Sequence, residues 1–92
     1  MAEKGHAIAR RNLGYCYDGG QGVAQDCNKA VRLYRLAADQ GYALAQNNLG
    51  VCYKHGQGVA QDYGEAVRWY RLAADQGLAI AQRNLERCQE FL

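Results

Sequence analysis

The sequence predicts an all-α solenoid, a stack of antiparallel helix pairs, on three observations. Gly5 to Gln40 aligns with Gly41 to Gln76 at 25 of 36 positions without a gap, and a period of roughly 20–50 residues marks a stacked-repeat architecture. Within each copy, apolar residues recur at helical spacing in two runs separated by a glycine-rich break. Composition agrees: the 92 residues include 15 Ala, 9 Leu and 9 Gln, which are good helix formers, with 11 Gly as breakers and no Pro, Ser or Thr.

The elements follow in order. Helix A spans about residues 7–18 and 43–54, where Ala9, Leu13, Cys16 and Tyr17, then Ala45, Leu49, Cys52 and Tyr53, each form one apolar stripe. Gly19-Gly20-Gln21-Gly22 and Gly56-Gln57-Gly58 end it, with glycines supplying the positive φ of a turn. Asp26 and Asp62 stand as N-cap acceptors, and Glu65 completes a capping box in the second unit. Helix B spans about 27–40 and 63–76. Its stripe is Ala30, Val31, Tyr34, Ala37 and Ala38, repeated as Ala66, Val67, Tyr70, Ala73 and Ala74, and it stops at Gly41 or Gly77. Neither helix can bury its stripe alone, so units must cover one another.

A third copy starts at Gly77 and repeats Ala79, Ala81, Gln82, Asn84, Leu85 and Cys88. The expected organisation is one domain, 1–92, with repeat 1 at 5–40, repeat 2 at 41–76 and a partial repeat 3 at 77–92, five helices in the order A-B-A-B-A. Glu86 replaces Gly14 and Gly50 in that copy, followed by Arg87, Gln89 and Glu90, as suits a C-terminal capping helix. Ala2-Glu3-Lys4-Gly5 aligns with Ala38-Asp39-Gln40-Gly41, the close of a unit whose body is missing, so the chain reads as cut from a longer array.

Asn12-Leu13-Gly14-x-Cys16-Tyr17, Gly20-Gln21-Gly22-Val23-x-x-Asp26 and Ala30-Val31-x-x-Tyr34-x-x-Ala37-Ala38-x-x-Gly41 together resemble the Sel-one-like repeat (SLR), a relative of the tetratricopeptide repeat. The resemblance implies a right-handed α/α superhelix acting as an adaptor, with helix A of each unit lining the concave face. In the cysteine-rich branch of that family, paired cysteines flank the junction between units. Those positions are Ala38 and Gln46 here, so that framework is absent.

The 11 mismatches between the two copies are informative, because positions dictated by stacking should agree. Seven fall in helix A or its ends. Positions 8, 11, 15 and 18 step by three, four and three, so they share a helical face distinct from the Leu13 stripe. This face is the one the resemblance assigns to the groove. The candidate partner-binding residues are therefore Ile8, Arg11, Tyr15, Asp18, Leu44, Asn47, Val51, Lys54, His55, Ile80, Arg83 and Arg87. Apolar anchors bordered by arginines suit an acidic, amphipathic peptide or protein.

Other chemistries find little support. Without Ser or Thr there is no serine nucleophile and no phosphate loop ending in Lys-Ser/Thr. His6 and His55 lack a nucleophile at defined spacing, so no catalytic residue and no enzyme activity are expected. Cys16, Cys52 and Cys88 recur every 36 residues as small buried hydrophobes, and no four-ligand metal spacing or cofactor motif exists. Cys27, at the start of helix B, is the thiol expected to be most reactive. Asn12, Asn48 and Asn84 are expected to bond an adjacent helix or loop backbone. A net charge of +2 argues against a nucleic-acid partner, and no apolar run approaches a membrane span. Neither a secretory signal nor the cysteine pair is present, which favours the cytoplasm. An alternative function is structural: self-association, including a homodimer, through the N-terminal stacking face around Ala7, Leu13 and Tyr17.

Overall fold

A computed structural model of the chain describes residues 2–90, with side chains from His6 onward. Met1, Phe91 and Leu92, which the 1–92 boundary takes in, lie outside the described residues. Five helices are present: α1 (Ala2–Gly19), α2 (Cys27–Asp39), α3 (Ala43–His55), α4 (Tyr63–Asp75) and α5 (Ala79–Gln89). No strand occurs among the described residues. Each A helix packs on its own B helix, α1 on α2 and α3 on α4, and each B helix packs on the next A helix, α2 on α3 and α4 on α5. The result is the expected α/α solenoid in A-B-A-B-A order.

Local chemistry sets the helix ends. Asp26 and Asp62 Oδ1 accept from the backbone N–H of Lys29 and Glu65, each at 3.1 Å, satisfying one free donor of the first turn. The expected capping box is only half made. The Asp62 N–H already donates to the Tyr53 carbonyl at 2.9 Å, so the Glu65 carboxylate pairs with Arg68 at 3.0 Å instead. Gly41, at φ 86°, closes α2 by donating to the Ala38 carbonyl, and the next N–H, of Tyr42, reaches back to Ala37. Helix α1 departs from the expected 7–18 by running from Ala2 through Gly5 to Gly19. Among the described residues no B helix precedes Gly5 for it to close, and a glycine inside a helix costs only about 1 kcal/mol.

Within each unit the two helices meet through a tyrosine and a glycine. Tyr34 and Tyr70 are the largest fully buried side chains. A Cβ on Gly50 would stand 2.6 Å from Tyr70 Cε1, and one on Gly14 would stand 3.0 Å from Tyr34 Cδ1. Carbon atoms ordinarily approach to about 3.5–4.0 Å. Only glycine leaves room for the ring. Glu86 takes the third such position and is exposed, with no B helix beyond it among the described residues.

The core lies at the junctions between units. Ala30, Val31, Tyr34, Ala37 and Ala38 of α2 form one cluster with Leu49 and Cys52 of α3 and Trp69 of α4. Ala66, Val67 and Tyr70 join Cys88 at the next junction, beside Ala73, Ala74 and Ala81. The predicted stripe is therefore buried in unit 2, where Ala45, Leu49 and Cys52 are 0–1% exposed. Its counterpart in unit 1 is not: Ala9 is exposed, Cys16 is half-buried, and Leu13 is 45% exposed. The residues are identical, and the difference is that no described element packs on that side of α1.

This contrast is measurable. Leu49→Ala should cost about 2–5 kcal/mol in urea unfolding, as for a fully buried leucine. Leu13→Ala at the matching position should stay below about 1 kcal/mol.

Candidate functional site

Successive A helices are joined side by side along one wall. Arg11 Nε donates to Asn48 Oδ1 at 2.8 Å, linking α1 to α3, and Asn84 Nδ2 donates to Asn47 Oδ1 at 3.0 Å, linking α5 to α3. Both bonds span 37 residues, so each is the same contact repeated one unit along. The asparagines thus bond an adjacent helix, as the sequence suggests, but through a side chain of the preceding A helix and not through backbone. Asn12, which has no preceding unit among the described residues, is exposed and accepts from Arg11 of its own helix at 3.2 Å.

The predicted strip divides into three groups on this wall. Ile8, Tyr15 and Ile80 are exposed at 39, 47 and 52%, together with His55, Arg83 and Arg87. Arg11, Asp18, Leu44, Val51 and Lys54 are half-buried. Asn47 is 7% exposed, because it lies between α3 and α5 as the acceptor for Asn84. It differs from Arg11 at the matching position although both meet an asparagine of the following A helix, Asn84 and Asn48 respectively. Arg11 carries two roles, since its guanidinium also lies 5.0 Å from the Tyr15 ring centroid. Asp18 ties α1 to α2: its Oδ2 accepts from the Tyr34 hydroxyl at 3.2 Å. Val51 packs against the cluster containing Cys88, so part of it serves the junction with α5.

Titration properties follow burial. The Tyr34 hydroxyl is pushed well above the usual phenol range, first by burial and then by the charge and hydrogen bond of Asp18. Burial, followed by nearby Cys88 and Cys52, does the same to Tyr70. The Cys52 thiol is pushed up to about 12, chiefly by burial and then by Asp18 and Cys27. Burial raises Cys88 too, partly offset by the Lys54 charge. These are poor nucleophiles. Cys16 and Cys27 are half-buried, and His6 and His55 are exposed. Among the described residues no group of three His, Cys, Asp or Glu side chains converges on a point where a metal could sit. No helix among the described residues is long and apolar enough to cross a membrane.

Two features escaped sequence reasoning. Gln46 Nε2 donates to the Ala38 carbonyl at 3.2 Å, and Gln82 repeats the bond to Ala74 at 3.3 Å. The Ala38 and Gln46 positions, assigned to a cystine pair in the cysteine-rich branch, are thus adjacent here and joined by a hydrogen bond. The recurrence of Gln46 and Gln82 one period apart was the available signal. The second feature is an apolar depression of about 240 Å³ on the N-terminal side of unit 1, lined by Leu13, Tyr17, Lys29, Arg32, Leu33 and Leu36. Lys29 and Leu33 are two of the four helix B positions where the copies differ.

Comparison with known proteins agrees with this geometry. A family model described as Sel1 repeat matches residues 7–42 and 43–78. A crystal structure of a Sel1 repeat protein from Oxalobacter formigenes is 43% identical with a TM-score of 0.84, over 86% of this chain and 32% of that one. The protective antigen c5321 of uropathogenic Escherichia coli, which displays an SLR fold, is 47% identical with a TM-score of 0.85, over 90% of this chain and 18% of the antigen. Cysteine rich protein B of Helicobacter pylori is 28% identical with a TM-score of 0.80, over 86% of this chain and 59% of that one. The chain therefore spans about a third or less of the first two structures. No curated protein matches it.

Two outcomes follow from the site. Asn84→Ala leaves Asn47 buried and unpaired and should cost about 1–3 kcal/mol in chemical unfolding, whereas exposed Asn12→Ala should change stability by no more than about 0.5 kcal/mol. The second concerns pH. An unfolded Cys52 thiol ionises near 9.0, while the folded one keeps its proton to about 12. The unfolded state binds fewer protons in that window, so stability is whole below pH 9 and declines as pH rises toward 12. Urea midpoints across that range should fall more steeply for wild type than for Cys52→Ala.

Proposed function

The chain belongs to the Sel1 repeat family, and we propose that it acts as an adaptor that holds a peptide or protein partner along the inner wall of its A helices. Sel1 repeats are generally protein-interaction modules and non-catalytic scaffolds. The observation that carries this reading is the row of exposed apolar residues Ile8, Tyr15 and Ile80 on the wall joined by the asparagine bonds. Large apolar side chains left in water on a small domain favour a contact surface.

Charge selects the partner. Arg83 and Arg87 are exposed beside Ile80, and Arg11 and Lys54 border the same wall half-buried. A carboxylate-bearing amphipathic segment would place apolar groups on Ile8, Tyr15 and Ile80 and accept forked hydrogen bonds from the arginines. Half-buried Leu44 and Val51 form the floor of the row, and His55 and Asp18 flank it. Buried Asn47 supports the wall without meeting the partner.

Photo-cross-linking tests this reading. A benzophenone side chain at position 15 or 80 should capture the same acidic protein, and one at Leu72, an exposed residue of α4, should not. Arg83→Glu with Arg87→Glu should weaken that complex by roughly tenfold or more. Equal capture from position 72, or indifference to the charge reversal, would remove the A-helix wall as the binding surface.

A further inference from the structure

The seam between α2 and α3 lies inside the stack, with both of its sides among the described residues, and it holds two of the four cysteines. Cys27 is the first residue of α2 and is half-buried. Cys52, in the last turn of α3, is 1% exposed and shares a cluster with Val31 of α2. Backbone connects the two positions. The Gln57 N–H donates to the Cys52 carbonyl at 2.9 Å. The next residue, Gly58, lies so close to α2 that a Cβ on it would stand 2.4 Å from the Cys27 carbonyl oxygen and 2.8 Å from Val31 Cγ2. The turn that hangs from Cys52 is therefore seated on Cys27.

The internal repeat gives the register of the sulfur. Tyr63 and Cys88 stand 36 residues beyond Cys27 and Cys52. At their seam the Cys88 thiol donates to the Tyr63 carbonyl at 3.9 Å, and the Tyr63 side chain packs against the cluster that contains Cys88. A sulfur resting on the carbonyl of a residue is within reach of that residue's own side chain. Between α2 and α3 that side chain ends in a second sulfur. The two thiols lie within electrostatic range, since Cys27 contributes, after burial and Asp18, to the upward shift of Cys52. Stacking does not call for a cysteine here, because tyrosine fills the same position in unit 2.

We propose that Cys27 and Cys52 form a modification site, a dithiol that a small-molecule disulfide oxidises to a reversible cross-link between unit 1 and unit 2. Cys27 reacts first, being the one that solvent reaches. Its sulfur attacks one sulfur of the reagent, that S–S bond breaks, and one small thiol departs with the Cys27 proton. Buried Cys52 is a poor nucleophile toward a reagent in solution. The mixed disulfide on Cys27 brings an electrophilic sulfur to it, and proximity offsets the low reactivity. Cys52 then attacks the Cys27 sulfur, and the second small thiol leaves with the Cys52 proton. The reagent has gained the two electrons that the dithiol has lost. The product ties the start of α2 to the end of α3 and closes the intervening chain into a loop.

The test equilibrates the folded full chain with oxidised and reduced glutathione in mildly alkaline buffer and quenches it in acid. Digestion with trypsin and a protease that cuts before aspartate separates Cys16 from Cys27. Mass spectrometry should find the Cys27 and Cys52 peptides joined, and the urea midpoint of the oxidised chain should exceed that of the reduced chain by roughly 1 M. Cys27→Ser, which keeps the size, and Cys27→Tyr, which copies unit 2, should both fold and show neither change. No bridge, a mixed disulfide that persists on Cys27, a bridge to Cys16 or Cys88, a bridge between two chains, or one that forms only in urea would each overturn the proposal.

Discussion

A tyrosine ring occupies the space in each unit where an alanine methyl would otherwise sit, and the rest of the solenoid depends on that contact. Tyr34 against Gly14 and Tyr70 against Gly50 let the two helices of a pair approach closely. The rings are large enough to reach from the B helix across to the A helix, and in unit 1 the Tyr34 hydroxyl also anchors Asp18. The close pairing leaves Ala30, Ala37 and Ala38 of α2, together with Val31, to meet the next unit. Small residues on that side allow the next A helix to pack close, which brings Gln46 within reach of the Ala38 carbonyl.

Most of the fold was legible in the sequence because the features that specify it are local or periodic. The 36-residue repeat located both helix pairs, Asp26 and Asp62 marked the starts of the B helices, and Gly41 and Gly77 marked their ends. What escaped depended on neighbours. Leu13 and Leu49 are the same residue in the same local sequence, yet one is 45% exposed and the other fully buried. Gly5 and Gly41 align, yet only Gly41 ends a helix. A window of sequence cannot report whether another unit stands beside it.

The candidate sites were legible to a lesser degree for the same reason. Comparing the copies found the variable face of the A helices, and Ile8, Tyr15 and Ile80 are indeed exposed there. The comparison could not separate residues that vary because they face solvent from those that vary while bonding the next unit. Arg11 and Asn47 are the second kind, each bonding the asparagine of the following A helix. The difference between Cys27 and Tyr63 acquires meaning only once the cysteine of the following A helix is seen at the start of the B helix. Sequence difference between repeats is thus a record of three things: solvent, neighbour and partner. Geometry assigns each position to one of them.

The glycine and tyrosine contact is best tested by introducing the same methyl group into two backgrounds. In the wild-type chain, Gly50→Ala should lower unfolding free energy by about 1–3 kcal/mol, because overpacking outweighs the better helix propensity of alanine. With Tyr70→Leu already in place the ring is gone, and Gly50→Ala should become neutral or stabilising by up to about 1 kcal/mol. An equal cost in both backgrounds would contradict the account, since the glycine would then be required for some reason other than the ring packed against it.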